Sequence, residues 1–105
     1  MSNIPQAKYE EIIRAERRIV VPETIRLRLG IALGDHLNLR ISDFSYEQSI
    51  VDRFKVISNY RVTLEKKSHC VMLGVEMGDY VQIEILSVES GEQDAEISQS
   101  VPEVN

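Results

Sequence analysis

The chain contains an internal repeat with a period of 44 residues. The segment 29–35, Leu-Gly-Ile-Ala-Leu-Gly-Asp, returns as Leu-Gly-Val-Glu-Met-Gly-Asp at 73–79. The residues that follow, 36–41 and 80–85, also match, with apolar positions falling on apolar positions. A period of this length marks a duplicated supersecondary unit that does not bury its apolar face alone. Two units are too few for a solenoid, so the repeat predicts a closed barrel with pseudo-two-fold symmetry.

Length and composition predict one globular domain. The chain has 105 residues, 43% of them hydrophobic, and a single cysteine, Cys70. One cysteine excludes an internal disulfide and favours a reducing compartment. No apolar run approaches the roughly 20 residues of a membrane-spanning helix, and residues 1–11 show no signal-peptide pattern. These features predict a cytoplasmic protein that does not associate with membranes.

The net charge of −5 is concentrated at the C-terminal end. Residues 1–43 carry a formal charge of +1, residues 44–86 carry −1, and residues 87–105 carry −5. A polar, acidic segment without aromatic residues is typical of disorder. We therefore expect one barrel domain over residues 1–88 and a disordered tail over 89–105. The tail is either a solvating end or a segment that binds a protein partner.

Each repeat has the pattern of a ββαβ unit. In the first repeat, 8–42, strand patterns at 8–14, 18–21 and 37–41 surround a helix at 23–29. In the second repeat, 50–88, strand patterns at 50–57, 60–64 and 80–88 surround a helix at 66–73. Residues 43–49 are expected to form a linker. The glycine after each Leu-Gly helix end is the residue that best tolerates a left-handed C-cap. The fold class predicted is mostly β with two short helices.

The segment 18–35, Arg-Ile-Val-Val-Pro-Glu-Thr-Ile-Arg-Leu-Arg-Leu-Gly-Ile-Ala-Leu-Gly-Asp, resembles the AbrB/MazE/SpoVT family. The family shares an arginine before an apolar strand, a proline, a short helix ending in Leu-Gly, and Gly-Asp before the next strand. The resemblance implies a swapped-hairpin barrel, which the family normally assembles from two chains with one unit each. The related double-psi barrel also consists of two ββαβ units. The sequence leaves both of these cradle-loop barrel topologies open.

The resemblance also implies a transcriptional regulator that binds duplex DNA. Arg18 and Arg26 occupy positions that carry DNA-contacting arginines in the family. The full set of candidate DNA-binding residues is Arg14, Arg17, Arg18, Arg26, Arg28, Arg61, Lys66 and Lys67. The second repeat has Tyr60, Cys70 and Met72 where the first has Arg17, Arg26 and Arg28. We therefore expect the first repeat to carry the DNA surface, alone or in a homodimer that presents two such surfaces.

Two alternative functions fit the same sequence. The first is an antitoxin, in which the DNA surface autoregulates and the tail binds a toxin. The second is a barrel that binds only other proteins. An enzyme is not expected, because no catalytic or cofactor-binding motif is present. His36, His69 and Cys70 are too few for a metal site. Asp35 and Asp79 each follow a glycine and fit a structural role in a turn.

Overall fold

The computed structural model describes residues 4–64 and 67–91, and within these ranges the chain is mostly β with two short helices, as predicted. The described elements of the first repeat are β1 (Ala7–Ile12), β2 (Arg18–Val20), α1 (Glu23–Leu29) and β3 (His36–Asp43). Those of the second repeat are β4 (Ser49–Lys55), β5 (Arg61–Thr63), α2 (Lys67–Leu73) and β6 (Tyr80–Glu89). A short 3-10 turn, Ala15–Arg17, joins β1 to β2. The order ββαβ therefore occurs twice. Neither described helix is long and apolar enough to cross a membrane.

Helix α1 begins and ends where its local sequence requires. Pro22 is the N-cap residue, with φ −60°, and its fixed φ and missing N–H suit a helix start. Gly30 is left-handed, with φ 68°, and closes the helix through hydrogen bonds to the last carbonyls. Ile25 and Leu29, the predicted inner face of the helix, are only half-buried and pack against the core. A seven-residue helix with so little burial depends on its caps and on the strands beside it.

The Gly-Asp turn of each repeat has the same hydrogen bond. Asp35 Oδ2 accepts the backbone N–H of Ala32 at 2.9 Å, and Asp79 Oδ2 accepts that of Glu76 at 3.0 Å. The glycine before each aspartate is left-handed, with φ 92° at Gly34. An aspartate that bonds its own backbone three residues earlier fixes the turn into the following strand. The repeated sequence therefore encodes a repeated turn.

Every strand pair in the two described sheets joins one repeat to the other. The four-stranded sheet has the order β1-β6-β3-β4, the two-stranded sheet consists of β2 and β5, and all pairs are antiparallel. On the central pair, Leu39 lies opposite Ile85 and Ile41 lies opposite Ile83. In the β2–β5 pair, Ile19 lies opposite Val62. The repeats are thus interleaved around a pseudo-two-fold axis.

One hydrophobic core lies between the two sheets. Alternate residues of β3 and β6 point into it, as strand geometry requires. Among the described residues, the apolar side chains with no more than 2% exposure are Ile13, Ile19, Val21, Leu37, Leu39, Ile41, Val56, Val62, Leu64, Leu73, Val81, Ile83 and Ile85. Both repeats contribute to this set about equally, so the core belongs to neither repeat alone.

The predicted linker, 43–49, and the predicted tail, 89–105, are each shorter than expected, because residues at their ends belong to strands. Asp43 and Ser49 belong to strands, and 44–48 is the loop of the β3–β4 hairpin that connects the repeats. At the C-terminal end, β6 continues to Glu89, and the N–H of Gly91 donates to Asp35. The folded part therefore extends three residues beyond the predicted boundary at 88. The rest of the predicted tail, 92–105, lies outside the described residues.

The interleaved pairing predicts that neither repeat folds alone. We expect the fragments 1–46 and 47–105, divided in the β3–β4 loop, each to give the circular-dichroism spectrum of an unfolded chain. A mixture of the two fragments is expected to recover the β spectrum, because each supplies the strands that the other needs. Native-like β structure in either isolated fragment would contradict the prediction.

Two side chains hold the carboxylate of Glu89 at the end of β6. Asn38 Nδ2 donates to its Oε2 at 2.9 Å, and Arg53 Nε donates to its Oε1 at 2.8 Å. These two contacts lower the pKa of the Glu89 carboxyl. Because the pKa is lower in the folded state, the stabilisation is present above the usual glutamate range. It is lost as pH falls through the lowered pKa.

An NMR titration of the Glu89 side chain measures this directly. We expect a midpoint below that of an unstructured glutamate, and a rise of this midpoint in Asn38→Ala. An unchanged Glu89 midpoint in Asn38→Ala would show that the amide does not hold the carboxylate.

Candidate nucleic-acid interface

The β2–β5 ribbon has a basic outward face. Ile19 and Val62 point into the core with 0% exposure, so strand alternation places their neighbours Arg18 and Arg61 on the opposite face. Arg18 lies opposite Thr63 in the register, and Arg61, two residues before Thr63 on the same strand, lies opposite Val20. The two arginines are therefore diagonal neighbours, one from each repeat, related by the pseudo-two-fold axis.

Both guanidinium groups are held at the ribbon by single contacts. Arg18 Nη2 lies 2.7 Å from Glu16 Oε1, and its side chain is 32% exposed. Arg61 Nε donates to the carbonyl oxygen of Ser58 at 3.3 Å. A guanidinium has five N–H donors, so these contacts leave donors on each arginine for an incoming anion. Glu16 is itself exposed, and its ion pair with Arg18 is of the weak surface kind.

The turns that join β1 to β2 and β4 to β5 are called the hairpin tips here, and each of them lies against the other repeat. Glu16 and Arg17 form the first tip, with φ 61° and 58°, and Asn59 and Tyr60 form the second, with φ 61° and 53°. The first tip lies beside α2 of the second repeat, and the second tip lies beside α1 of the first repeat. The basic residues of the first repeat are therefore divided between two places on the surface.

Arg26 and Arg17 mark these two places. The Arg26 guanidinium carbon lies 3.9 Å from the centroid of the Tyr60 ring, within the range of a cation–π contact. Arg17 Nε donates to the carbonyl of Leu64 at 2.9 Å and lines a hollow with Cys70. Burial raises the pKa of the Cys70 thiol, and the charge of Arg17 opposes that shift. Each tip thus brings one arginine to the edge of the ribbon.

The other predicted basic residues have different surroundings. Arg14 Nη2 pairs with Glu11 of β1 at 3.2 Å, and Arg28 Nη2 donates to the carbonyl of Gln6 at 3.2 Å. Lys67 begins α2, and Lys66 lies outside the described residues. The structure therefore gathers Arg17, Arg18, Arg26 and Arg61 around the ribbon, whereas Arg14 and Arg28 contact groups in or next to β1.

A buried histidine paired with an aspartate lies elsewhere in the second repeat. His69 of α2 is 8% exposed, and its Nε2 lies 2.9 Å from Asp52 Oδ2 on β4. The Phe54 ring lies 5.7 Å away, between ring centroids. The pair lines a cleft of about 360 Å³ together with His36 and Thr63. It joins the helix to the edge strand of the sheet.

Sequence reasoning did not find this pair. The corresponding positions of the first repeat hold Ile25 and Tyr9, and from the sequence only His36, His69 and Cys70 were considered, as a set too small for a metal site. In the structure Cys70 lines a separate hollow, away from the cleft that the two histidines share. The available signal was the alignment of the repeats, which replaces two residues of the first repeat by a histidine and a carboxylate that face each other.

Comparison with known proteins addresses the fold. No family model matches the chain, and no curated protein matches it. Among solved structures, the chain is similar to the solution structure of PHS018 from Pyrococcus horikoshii, with a TM-score of 0.73 and 20% sequence identity. The similarity covers 86% of this chain and 97% of that chain. At this identity it supports a shared fold and carries no information about what either protein binds.

The cation–π contact between Arg26 and Tyr60 should contribute a measurable free energy to folding. In a double-mutant cycle of Arg26→Gln and Tyr60→Leu, measured by urea unfolding, we expect a coupling free energy of about 0.5–1 kcal/mol. The control is the cycle of Arg28→Gln with Tyr60→Leu, because Arg28 contacts Gln6 instead. Its coupling should be close to zero. Equal coupling in both cycles would mean that Tyr60 does not specifically hold Arg26.

Proposed function

We propose that this protein is a DNA-binding transcriptional regulator that contacts duplex DNA with the β2–β5 ribbon. The observation that carries the proposal is the pair Arg18 and Arg61 on the outward face of a two-stranded ribbon. Arg17 lies at the first tip, and Arg26 of α1 lies over the Tyr60 ring of the second tip. The major groove admits a two-stranded ribbon, and arginine is the side chain that most often reads guanine there.

The arrangement of the four arginines suits a two-fold target. Arg18 and Arg61 come from one chain, so a single molecule presents one arginine to each side of a DNA dyad. Phosphate contacts from the flanking Arg17 and Arg26 would fix the register of the ribbon. The resemblance of segment 18–35 to the AbrB/MazE/SpoVT family supports the same function.

The two halves of the target should not contribute equally. The first repeat has Arg26 on its helix, and the second repeat has Cys70 at the matching position. Likewise the tip residue Arg17 corresponds to Tyr60, whose ring packs under Arg26. The proposed target is therefore an approximately palindromic site with two different half-sites.

Salt dependence tests the proposal quantitatively. Each neutralised phosphate contributes about 0.9 to the slope of log affinity against log salt. We expect Arg18→Ala and Arg61→Ala each to weaken binding to a random duplex at low salt and to reduce the slope by about 0.9. Fluorescence anisotropy of a labelled duplex between low and physiological salt measures both quantities.

The matched control is Lys8→Ala. Lys8 is an exposed base on β1 and pairs in the four-stranded sheet with Glu84, on the other side of the core from the ribbon. Its removal changes the net charge by the same amount and should leave the slope unchanged. Equal losses in all three variants would assign the binding to net charge and reject the ribbon as the site. No binding at low salt would reject the function.

A further inference from the structure

The Gly-Asp turn of the first repeat is covered by the chain itself. Asp35 is 6% exposed, and its Oδ1 accepts the N–H of Gly91 at 2.9 Å while its Oδ2 caps the turn. Gly91 lies so close that a Cβ added there would collide with the carbonyl oxygen of Gly34. The chain that follows β6 therefore docks on this turn through a backbone N–H.

The matching turn of the second repeat is open. Asp79 Oδ2 caps the turn by accepting the N–H of Glu76, and the residue is exposed. Among residues 4–64 and 67–91, no donor is hydrogen-bonded to its Oδ1. The second repeat thus keeps the acceptor that Gly91 occupies in the first repeat, without an occupant from the described chain.

An apolar surface lies beside this open turn. Two adjoining hollows of about 590 and 560 Å³ share Gly74 and Val75. The large apolar side chains that line them are more than half exposed: Val71 71%, Met77 61%, Phe44 59% and Tyr80 53%. We call these side chains, with Val75 and Asp79, the second-repeat groove. A contiguous apolar surface of this kind marks an interaction site more often than scattered apolar residues do.

The charge around the second-repeat groove is mainly negative. The acidic residues that line the two hollows are Glu10, Glu16, Asp43, Glu76 and Asp79. Among the described residues that line the hollows, Arg17 is the one basic residue, and its Nε donates to the Leu64 carbonyl. An apolar surface with an acidic rim favours a partner that is apolar and positively charged.

We infer that the second-repeat groove docks an extended segment of another protein that combines apolar residues with lysine or arginine. Its backbone N–H donates to Asp79 Oδ1, as that of Gly91 does to Asp35, and its apolar side chains cover Phe44 and Tyr80. The chain's own residues 92–105 do not suit this groove, because they contain four acidic residues and no basic residue. The same charge argument disfavours the tail of a second copy.

Two synthetic peptides of matched pattern test the inference. One has the sequence KLKVGVKLK, and the other replaces each lysine by glutamate. We expect the basic peptide to bind the full-length protein about tenfold more tightly than the acidic one by fluorescence anisotropy. Its amide chemical-shift changes in a ¹H–¹⁵N spectrum should be concentrated at 44–45 and 71–80. Equal binding of both peptides, or shift changes elsewhere, would overturn the inference.

Surface variants locate the binding. Phe44→Ser and Tyr80→Ser should each weaken the basic peptide about tenfold, whereas Leu27→Ser should not, because Leu27 is an equally exposed apolar residue that does not line the second-repeat groove. Thermal melting confirms that each variant is folded. DNA binding should be unchanged in Phe44→Ser, so this proposal and the DNA proposal can fail separately. Self-association that Phe44→Ser abolishes would overturn the inference by assigning the groove to a second copy.

Discussion

The fold depends on the antiparallel pairing of β3 with β6, the last strands of the two repeats. These strands lie side by side at the centre of the four-stranded sheet, and each has its other edge paired with the first strand of the opposite repeat. A strand buried in this way needs hydrogen bonds along both edges, and for β3 and β6 both partners belong to the other repeat. This constraint joins the repeats into one domain. It also carries each hairpin tip to the helix of the other repeat.

Local features were predictable from the sequence because a few adjacent residues determine them. Helix α1 was predicted over 23–29 and is found at Glu23–Leu29, since Pro22 and Gly30 specify its ends. The Gly-Asp turns follow from a glycine that accepts positive φ and an aspartate that bonds its own backbone. The alternation in 37–41 correctly identified the inward face of β3. In each case the cause and the effect lie within about one turn of chain.

The strand partners and the side-chain pairs were not predictable in this way, since both depend on which strand crosses to which neighbour. In the alignment of the repeats Tyr60 replaces the charged residue Arg17. The pairing of β2 with β5 places the Tyr60 ring under Arg26 of the other repeat. The same pairing separates Arg17 from Arg26, two residues of the first repeat that were assigned from the sequence to the same DNA surface. Asp52 and His69 meet because α2 packs on β4, and no spacing in the sequence indicates that contact.

The duplicated aspartates show how a symmetric fold can carry different surfaces. One carboxylate oxygen of each caps its turn, and this use is the same in Asp35 and Asp79 because the turn requires it. The second oxygen is not needed for the turn, so its use can differ between the repeats. In the first repeat it accepts the N–H of Gly91, and in the second no donor among the described residues is hydrogen-bonded to it. Arg26 and Cys70 differ for the same reason, because neither is required for the helix end that the Leu-Gly pair forms. In the Leu-Gly helix ends and the Gly-Asp turns, the residues that determine the backbone therefore stay alike in both repeats, and those that the backbone leaves free give each repeat its own surface.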